Sequence, residues 1–268
     1  MNSNHYALSR FLDRLLRHST LSSDERKAIL NLPGHASQVQ ARYDVVSPGK
    51  VVGHACLIVK GLAGRFDQMT DGRRQTTALH IPGDMCDLHS VVQPRPSWSI
   101  TALTTTTILH VPHSNLRDIV HIYPGIGLAF WRDTAAAAAI LSKWLGNFGR
   151  KDAQSRVAHL FCEMAVRMEA ANLGTRTSYE LAMTQEQLSD ATGMTAVHVN
   201  RTLQMLRATG TLSFAHGLVE VYDWEGLKRL ADFTDDYLLM SADSSRPYHS
   251  SSGQGRDYAD LAVASEQQ

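Results

Sequence analysis

The chain is poor in cysteine. Only three cysteines occur in 268 residues, Cys56, Cys86 and Cys162, and no two of them form a Cys-x-x-Cys pair. This odd number and wide spacing disfavour a disulfide framework and a four-cysteine zinc or iron–sulfur site. Because each cysteine lies in an apolar stretch, we expect all three to be small core residues.

Long apolar runs and targeting signals are also lacking. No stretch approaches the length of apolar sequence that crosses a bilayer, and residues 1–5 lack the basic and then apolar order of a secretory signal. We therefore expect a cytoplasmic protein that does not act at a membrane.

Enzyme motifs are absent. The sequence has no Gly-x-Ser-x-Gly, no P-loop and no glycine fingerprint that opens a helix after a strand. Asp84 and Asp87 form a carboxylate pair, but their position in a loop favours hydrogen bonding to backbone amides over acid–base chemistry. We expect no enzymatic activity and assign no catalytic residue.

The thirteen histidines raise the question of a metal or haem site. The closest grouping is His80, Cys86, Asp87 and His89, whose donor atoms suit zinc or iron. Their spacing matches no metal motif, so we predict no metal site and interpret the histidines as structural or surface residues. The sequence leaves any other cofactor or effector unknown.

Net charge is zero, since 26 Lys and Arg balance 26 Asp and Glu. Affinity for a nucleic acid would therefore have to come from a local face of the molecule.

The succession of residue patterns along the chain predicts an α+β protein. Two short helices are expected within residues 8–30, with a capping box over residues 22–25. Residues 38–112 alternate short β-branched runs with Gly, Pro and Asp, which predicts an antiparallel β-roll of the jelly-roll type with a hairpin turn at Asp71-Gly72. A long helix of about 23 residues over 126–148 is too apolar for solvent, and we expect it to pair with a second copy of itself; packing on its own β domain is the alternative.

The most informative segment is 183–207. Thr184 and Gln187 form a capping box, Gly193 can end that helix in the left-handed conformation, and Thr195 can cap a second helix over about 196–209. This order is the helix-turn-helix layout. A further helix over 151–171 precedes it, residues 172–175 are expected to form a loop, and a hairpin over 212–222 with a last helix capped by Asp223 follows as a wing.

The second helix has two faces. Val199, Leu203 and Leu206 form a core stripe, whereas the opposite face carries polar donors and one valine: Val197, Asn200, Arg201 and Gln204. Arg201 can contact guanine O6 and N7, and Asn200 or Gln204 can contact an adenine or a phosphate. No acidic residue occurs from Thr195 to Gly210, so the local field is positive. A helical bundle with a merely solvated polar face is the alternative.

These residues resemble the Crp/Fnr superfamily of bacterial regulators from about Val39 to Asp232. The motifs that carry the resemblance are Thr184-Gln185-Glu186-Gln187-Leu188, Gly193-Met194-Thr195, Val199-Asn200-Arg201-Thr202-Leu203 and, in the front half, Gly49, Gly61, Asp71-Gly72-Arg73 and Pro82-Gly83-Asp84. The resemblance implies a cyclic-nucleotide-binding-like sensor domain over 1–122, a dimerisation helix over 123–150 and a winged helix-turn-helix over 151–235. The Ser-, Gly- and polar-rich composition of the remaining residues predicts a disordered tail over 236–268.

The resemblance also implies partners and roles. The partners are double-stranded DNA with a two-fold operator, a second copy of the chain and RNA polymerase. By position, Arg201, Val197 and Asn200 correspond to base-contacting residues, and Thr195 and His198 to phosphate contacts. Val197 replaces a frequent glutamate and could contact only a thymine methyl group.

The sensor half departs from the family members that bind cyclic AMP. The elements expected to hold the nucleotide appear as Cys86-Asp87-Leu88 and Arg95-Pro96-Ser97-Trp98-Ser99, without the paired donors that a phosphate needs. We expect an effector other than cyclic AMP. The competing hypothesis is a ligand-sensing or partner-binding protein whose helical domain no longer binds DNA.

Overall fold

The computed structural model describes residues 3–238. Two N-terminal helices, α1 (Ser3–Leu16) and α2 (Ser23–Leu30), confirm the predicted pair, and the Ser22–Glu25 capping box forms as expected. At the other end, Asp236–Leu238 form a short 3-10 helix whose Leu238 is buried, so the predicted tail begins later than 236. The rest of that predicted tail lies outside the described residues.

An antiparallel β-roll follows the first two helices, as predicted. Its two sheets have the strand orders β1-β7-β3 and β2-β6-β4-β5. The strands are β1 (His35–Val39), β2 (Asp44–Val46), β3 (His54–Lys60), β4 (Ala63–Gln68), β5 (Arg74–His80), β6 (Ser99–Ala102) and β7 (Thr106–Pro112). Period-2 alternation directs side chains of β2, β3, β4, β6 and β7 into a core that includes Cys56, Ile58, Ile100 and Ile108.

The hairpin between β4 and β5 turns at Asp71-Gly72, as predicted. The Met69 amide donates to the Arg73 carbonyl (2.8 Å), and Gly72 has a φ of +86°, which an L-residue seldom adopts.

Two helices leave the β-roll: α3 (His113–Ile122) and α4 (Pro124–Arg150). The latter has 27 residues, somewhat more than predicted, because Pro124 starts it at a position that needs no amide donor. One side of α4 is buried on this chain, through residues such as Ala129, Ile140 and Trp144. The structure is therefore compatible with both predictions for this helix. Its buried side packs on its own chain, and its opposite, exposed side is available to a second copy.

The C-terminal part comprises α5 (Ala153–Ala170), β8 (Gly174–Thr175), β9 (Ser178–Glu180), α6 (Gln185–Thr192), α7 (Ala196–Ala208), β10 (Leu212–Ala215), β11 (Leu218–Val221) and α8 (Trp224–Ala231). Asp223 caps α8 as expected, through the Gly226 amide (2.8 Å). The predicted loop at 172–175 was wrong in its second half, because Gly174–Thr175 pair with β9 and extend the wing to a four-stranded sheet. Tyr179 fixes β9 by burying its ring and donating its hydroxyl to the Phe161 carbonyl (2.7 Å).

The three cysteines are buried and unpaired, which confirms that they are core residues. Over residues 3–238, the structure contains no helix with both the length and the apolar character that crossing a membrane requires.

Candidate nucleic-acid interface

The two helices α6 and α7 are held by the three local signals seen in the sequence. In the α6 capping box, Thr184 N donates to Gln187 Oε1 (2.9 Å) and Gln187 N donates to Thr184 Oγ1 (3.1 Å). Gly193 ends α6 with a φ of +64°, and Thr195 Oγ1 accepts from the His198 amide at the start of α7 (3.3 Å). These caps satisfy backbone groups that would otherwise lack partners and so fix where each helix begins and ends.

One side of α7 anchors it to the domain. Val199, Leu203 and Leu206 are buried as predicted, in the same apolar cluster as the residues of α5. Thr202 is also buried, and its hydroxyl donates to the His198 carbonyl one turn earlier (3.0 Å). The rotation of α7 about its axis is therefore set by this apolar contact.

The opposite side of α7 faces outward. Val197 is 81% exposed, and Arg201, Gln204, His198 and Thr195 are exposed as well. Within residues 3–238, Arg201 makes no ion pair, and α7 itself contains no acidic residue. A solvated, unpaired guanidinium on a helix without carboxylates is available to an anionic partner.

Asn200 differs from its neighbours on this face. It is half-buried, and its Nδ2 donates to Oε1 of Gln185 in the first turn of α6 (3.0 Å). The bond links the two helices of the motif, so in the free protein this amide has a structural contact that the sequence pattern did not indicate.

The wing lies next to the end of α7. Strands β10 and β11 pair in register from Leu212–Val221 to Ala215–Leu218, and the turn between them places His216 and Gly217 at positive φ, +52° and +79°. Arg207, in the last turn of α7, donates to the Phe214 carbonyl of β10 (3.2 Å). The predicted hairpin is thereby confirmed and tied to the second helix.

The helix-turn-helix also contacts the β-roll of the same chain. Gln187 Nε2 donates to the Leu103 carbonyl (3.0 Å), and Gln75 Nε2 donates to the Asp190 carbonyl (2.9 Å). These bonds join α6 to the β2-β6-β4-β5 side of the β-roll, while the polar face of α7 stays exposed.

A buried ionic network joins the β-roll to helices α1, α4 and α5. Asp84, in the loop after β5, pairs with Arg14 of α1 (2.7 Å) and Arg167 of α5 (2.9 Å). Arg14 also pairs with Asp133 of α4 (2.6 Å), and Arg167 with Glu163 (3.2 Å). Burial of Asp84 alone would raise the pKa of its carboxyl, but the attraction of Arg14 and Arg167 outweighs burial and holds that pKa below its usual value.

Asp84 and Asp87 also accept backbone amides, as the sequence predicted. Asp84 Oδ2 accepts from Ile81 N (3.0 Å), and Asp87 Oδ1 accepts from Cys56 N (2.6 Å). Burial raises the pKa of Asp87 to about 6. The ion pairs of Asp84 were not foreseen, because Arg14 and Arg167 are 70 and 83 residues away along the chain.

A cavity of about 60 Å³ lies between the β-roll and α4. Neither element expected to hold a cyclic nucleotide forms a phosphate site, since Asp87 is turned to the Cys56 amide and Arg95 donates to the Gly49 carbonyl (2.8 Å) at the surface. Arg65 of β4 lines the cavity instead, against the ring of Trp98 (5.0 Å) and the hydroxyl of Thr77 (3.0 Å). The only sequence signal for Arg65 was its place in an alternating strand.

Two histidines line the same cavity, His80 and His89. Burial lowers the pKa of His80 to about 3 and that of His89 to about 4, so both rings are neutral near pH 7. Within the described chain, these histidines do not form a metal-binding group with Cys86 and Asp87.

Comparison with known proteins agrees with this architecture. Residues 37–123 match the family model for the cyclic nucleotide-binding domain, and residues 155–230 match that for the Crp-like helix-turn-helix domain. The nitrogen fixation regulation protein FixK of Azorhizobium caulinodans is 29% identical over 188 residues, which are 70% of this chain and 75% of that protein. The transcriptional activator protein FnrL of Cereibacter sphaeroides is 24% identical over 212 residues, 77% of this chain and 85% of that protein.

Solved structures show the same fold. FixK2 from Bradyrhizobium japonicum superposes with a TM-score of 0.68 at 25% identity, covering 74% of this chain and 98% of that one. A CooA variant from Carboxydothermus hydrogenoformans superposes with a TM-score of 0.60 at 19% identity, covering 81% and 93%.

The chain belongs to the Crp/Fnr superfamily and is a transcriptional regulator with a helix-turn-helix DNA-binding domain. Its relatives are regulatory proteins and not enzymes, in agreement with the expectation from the sequence.

Proposed function

We propose that the protein is a homodimer that binds a two-fold DNA operator by inserting the exposed face of α7 into the major groove. The observation that carries the proposal is that face itself: Arg201, Val197 and Gln204 are solvent-exposed on a capped helix without acidic residues. A helix of these dimensions fits the major groove, where each base pair presents a distinct set of donors and acceptors.

Each side chain on this face is assigned a contact by its chemistry. Arg201 donates to guanine O6 and N7, and Val197 packs against a thymine methyl group. Gln204 and Asn200 contact an adenine or a phosphate, for which Asn200 must exchange its bond to Gln185. Thr195 and His198, at the start of α7, lie where positive helix-end amides favour a phosphate.

Selection of bound duplexes from a random pool tests this function. We expect enrichment of a palindrome whose half-sites are about one helical turn apart, or a multiple of it, because two α7 helices related by a two-fold axis meet successive major grooves. A variant with Val197, Arg201 and Gln204 all replaced by Ala serves as the control, and it should retain the wild-type circular dichroism spectrum but enrich no site. Wild-type protein that enriches no sequence would instead favour a helical domain that no longer recognises DNA.

The exposed side of α4 supports the dimer. Leu128, Trp131 and Leu145 are 54%, 73% and 71% exposed. They continue, through Ala135, Ala138 and Ser142, a stripe with alternating spacings of three and four residues. Such a stripe is the pattern of two helices that pack along their lengths, and the apolar surface it leaves in water is best covered by the same stripe of a second copy.

Charge substitutions in this stripe test the dimer. Trp131→Asp and Leu145→Asp should each raise the dimer dissociation constant by more than about 100-fold, because an unpaired carboxylate buried in an interface costs about 3 kcal/mol or more. Sedimentation equilibrium measures the change. Val51→Asp is the matched control, since Val51 is 65% exposed in the turn before β3 and away from α4. Dimers that tolerate the two α4 substitutions as well as they tolerate Val51→Asp would contradict the proposal.

Each of the three segments of the chain is assigned one role in this dimer. We assign residues 1–122 to sensing, 123–150 to dimerisation and 151–235 to DNA binding, supported by the order of the β-roll, α4 and the winged domain along the chain. The dimer bound to DNA would act on transcription through RNA polymerase in the cytoplasm, as the family relationship implies.

The cavity beside Arg65 is far smaller than the roughly 300–1,000 Å³ of ligand pockets, so an effector larger than a few atoms must rearrange it.

A further inference from the structure

We propose that His54, Cys56 and His110 form a binding site for a zinc-type transition-metal ion in the β-roll. One donor atom of each residue lies within 4.8 Å of the other two. Cys56 is fully buried, whereas His54 and His110 are half-buried, so the group lies between the core of the β-roll and its surface. None of the three residues belongs to the DNA-binding face or lines the cavity beside α4. Cys86, which does line that cavity, donates its thiol to the Cys56 carbonyl (3.2 Å).

Strand pairing brings the three residues together. Cys56 of β3 and His110 of β7 are direct partners in the antiparallel register, so their side chains lie on the same face of the sheet. His54 is two residues before Cys56 on the same strand and therefore shares that face. In the sequence, His110 is 54 residues from Cys56, which is why residue spacing showed no metal motif.

The distances suit a tetrahedral ion. Cys56 Sγ lies 3.8 Å from His110 Nδ1. A zinc ion with ordinary zinc–sulfur and zinc–nitrogen bonds holds those two atoms about 3.5 Å apart at the tetrahedral angle. The observed separation is therefore close to that of two ligands of one ion, and small side-chain rotations close the difference.

Neighbouring groups orient His110 for ligation. The Ser37 hydroxyl lies 2.7 Å from His110 Nε2, and when Nε2 donates its hydrogen to this oxygen, the Nδ1 lone pair faces Cys56 Sγ. The ring of His35 stacks on that of His110, with centroids 4.7 Å apart. Metal-bound histidines commonly use their second nitrogen in such a hydrogen bond, which fixes the tautomer and the ring orientation.

The donor set determines the class of ion. One thiolate and two imidazoles suit zinc and related borderline or soft ions, whereas magnesium and calcium require several oxygen ligands. On binding, the Cys56 thiol releases its proton to solvent and a metal–sulfur bond forms, while both imidazoles bind as neutral bases. A water molecule or an exogenous ligand completes the fourth position, as in zinc sites with three protein ligands.

Titration of the untagged, full-length protein with Zn²⁺ and Co²⁺ tests the site. We expect one Zn²⁺ per chain by native mass spectrometry, and with Co²⁺ a thiolate-to-metal charge-transfer band in the near-ultraviolet. Cys56→Ala should abolish that band, and His54→Gln should weaken Zn²⁺ affinity by at least about tenfold. Because His54 is half-buried, its variant keeps the test informative if Cys56→Ala fails to fold.

Matched controls exclude unspecific binding. Cys162→Ala removes a buried cysteine of α5, and His121→Gln removes an exposed histidine of α3, so neither should change the affinity or the band. The absence of stoichiometric binding, or binding that His54→Gln and His121→Gln reduce equally, would overturn the proposal. DNA selection with metal-free protein is a separate measurement, so the metal site and the DNA-binding function can fail independently.

Discussion

Arg201 and Arg167 lie on two packed helices of the same domain but in opposite surroundings. Arg201 of α7 is exposed and has no ion-pair partner within residues 3–238, whereas the side chain of Arg167 is 7% exposed and pairs with both Asp84 and Glu163. Arg14 of α1, whose side chain is 16% exposed, completes what we call the buried set, because it shares the buried Asp84 with Arg167 and also binds the buried Asp133. The chain thus uses one residue type for two unlike purposes.

This contrast separates stability from binding. A buried guanidinium has lost its hydration and needs its carboxylates, so removing a partner is costly. An exposed guanidinium contributes little to folding and keeps its donors for a ligand. We therefore expect substitutions in the buried set to change unfolding, and substitutions of exposed α7 residues such as Arg201 to change DNA affinity alone.

The largest expected effect follows from Asp84→Asn. Arg14 and Arg167 would lose a shared buried carboxylate, which should lower the free energy of unfolding by about 3–5 kcal/mol. Urea denaturation measures this loss. Asp24→Asn is the control, since the Asp24–Lys27 pair is largely exposed and its removal should cost less than about 1 kcal/mol. An equal loss of unfolding free energy in the two variants would show that the buried network stabilises the fold no more than an exposed ion pair does.

Arg201→Ala should have an intermediate effect confined to DNA. We expect a loss of about 1–3 kcal/mol in binding to the preferred operator and relaxed choice at one base pair per half-site, with unchanged unfolding. Arg207→Ala removes the same charge from the last turn of α7 and should weaken all sequences alike, with a shallower salt dependence. Affinities for a panel of operator variants at several salt concentrations distinguish the two. If Arg201→Ala also weakened all sequences alike, Arg201 would be a phosphate contact.

The smallest expected effect follows from Thr195→Ala, since Thr195 is expected to serve both stability and DNA binding. Loss of the cap at the start of α7 should lower the free energy of unfolding by about 1 kcal/mol. DNA affinity should fall as well if the hydroxyl contacts a phosphate. Thr195→Ser retains the hydroxyl and should restore both properties, as measured by urea denaturation and operator binding. A fall in stability without any fall in affinity would limit Thr195 to capping.

Local signals in the sequence were sufficient for the motif that binds DNA. The capping pairs at Thr184 and Thr195, the left-handed Gly193 and the two-faced α7 were all predicted and all formed, because each depends on residues within a few positions of one another. The roles of individual side chains on α7 stay predictions. Asn200 shows why, since its contact with Gln185 depends on the angle between two helices.

Contacts between distant segments were not predictable in the same way. The ion pairs of Asp84 unite three elements that are far apart in the chain, and the His54, Cys56 and His110 group depends on the register of β3 against β7. Alternation within a strand reveals which side a residue faces but not which residue of another strand lies opposite. Strand β8 was missed for a similar reason, because two residues pair only in the presence of β9.

The side-chain amide of Gln187 makes two hydrogen bonds at once, one through its oxygen and one through its nitrogen. Its oxygen completes the first turn of α6 by accepting from Thr184, while its nitrogen donates across to Leu103 on the β-roll. Glutamate would cap the helix equally well, but it would place a negative charge against that carbonyl oxygen. The choice of an amide therefore lets one side chain cap a helical turn and dock the DNA-binding unit on the roll. Any swing of that unit away from the roll must release the bond to Leu103, whereas the capping bond to Thr184 can stay in place.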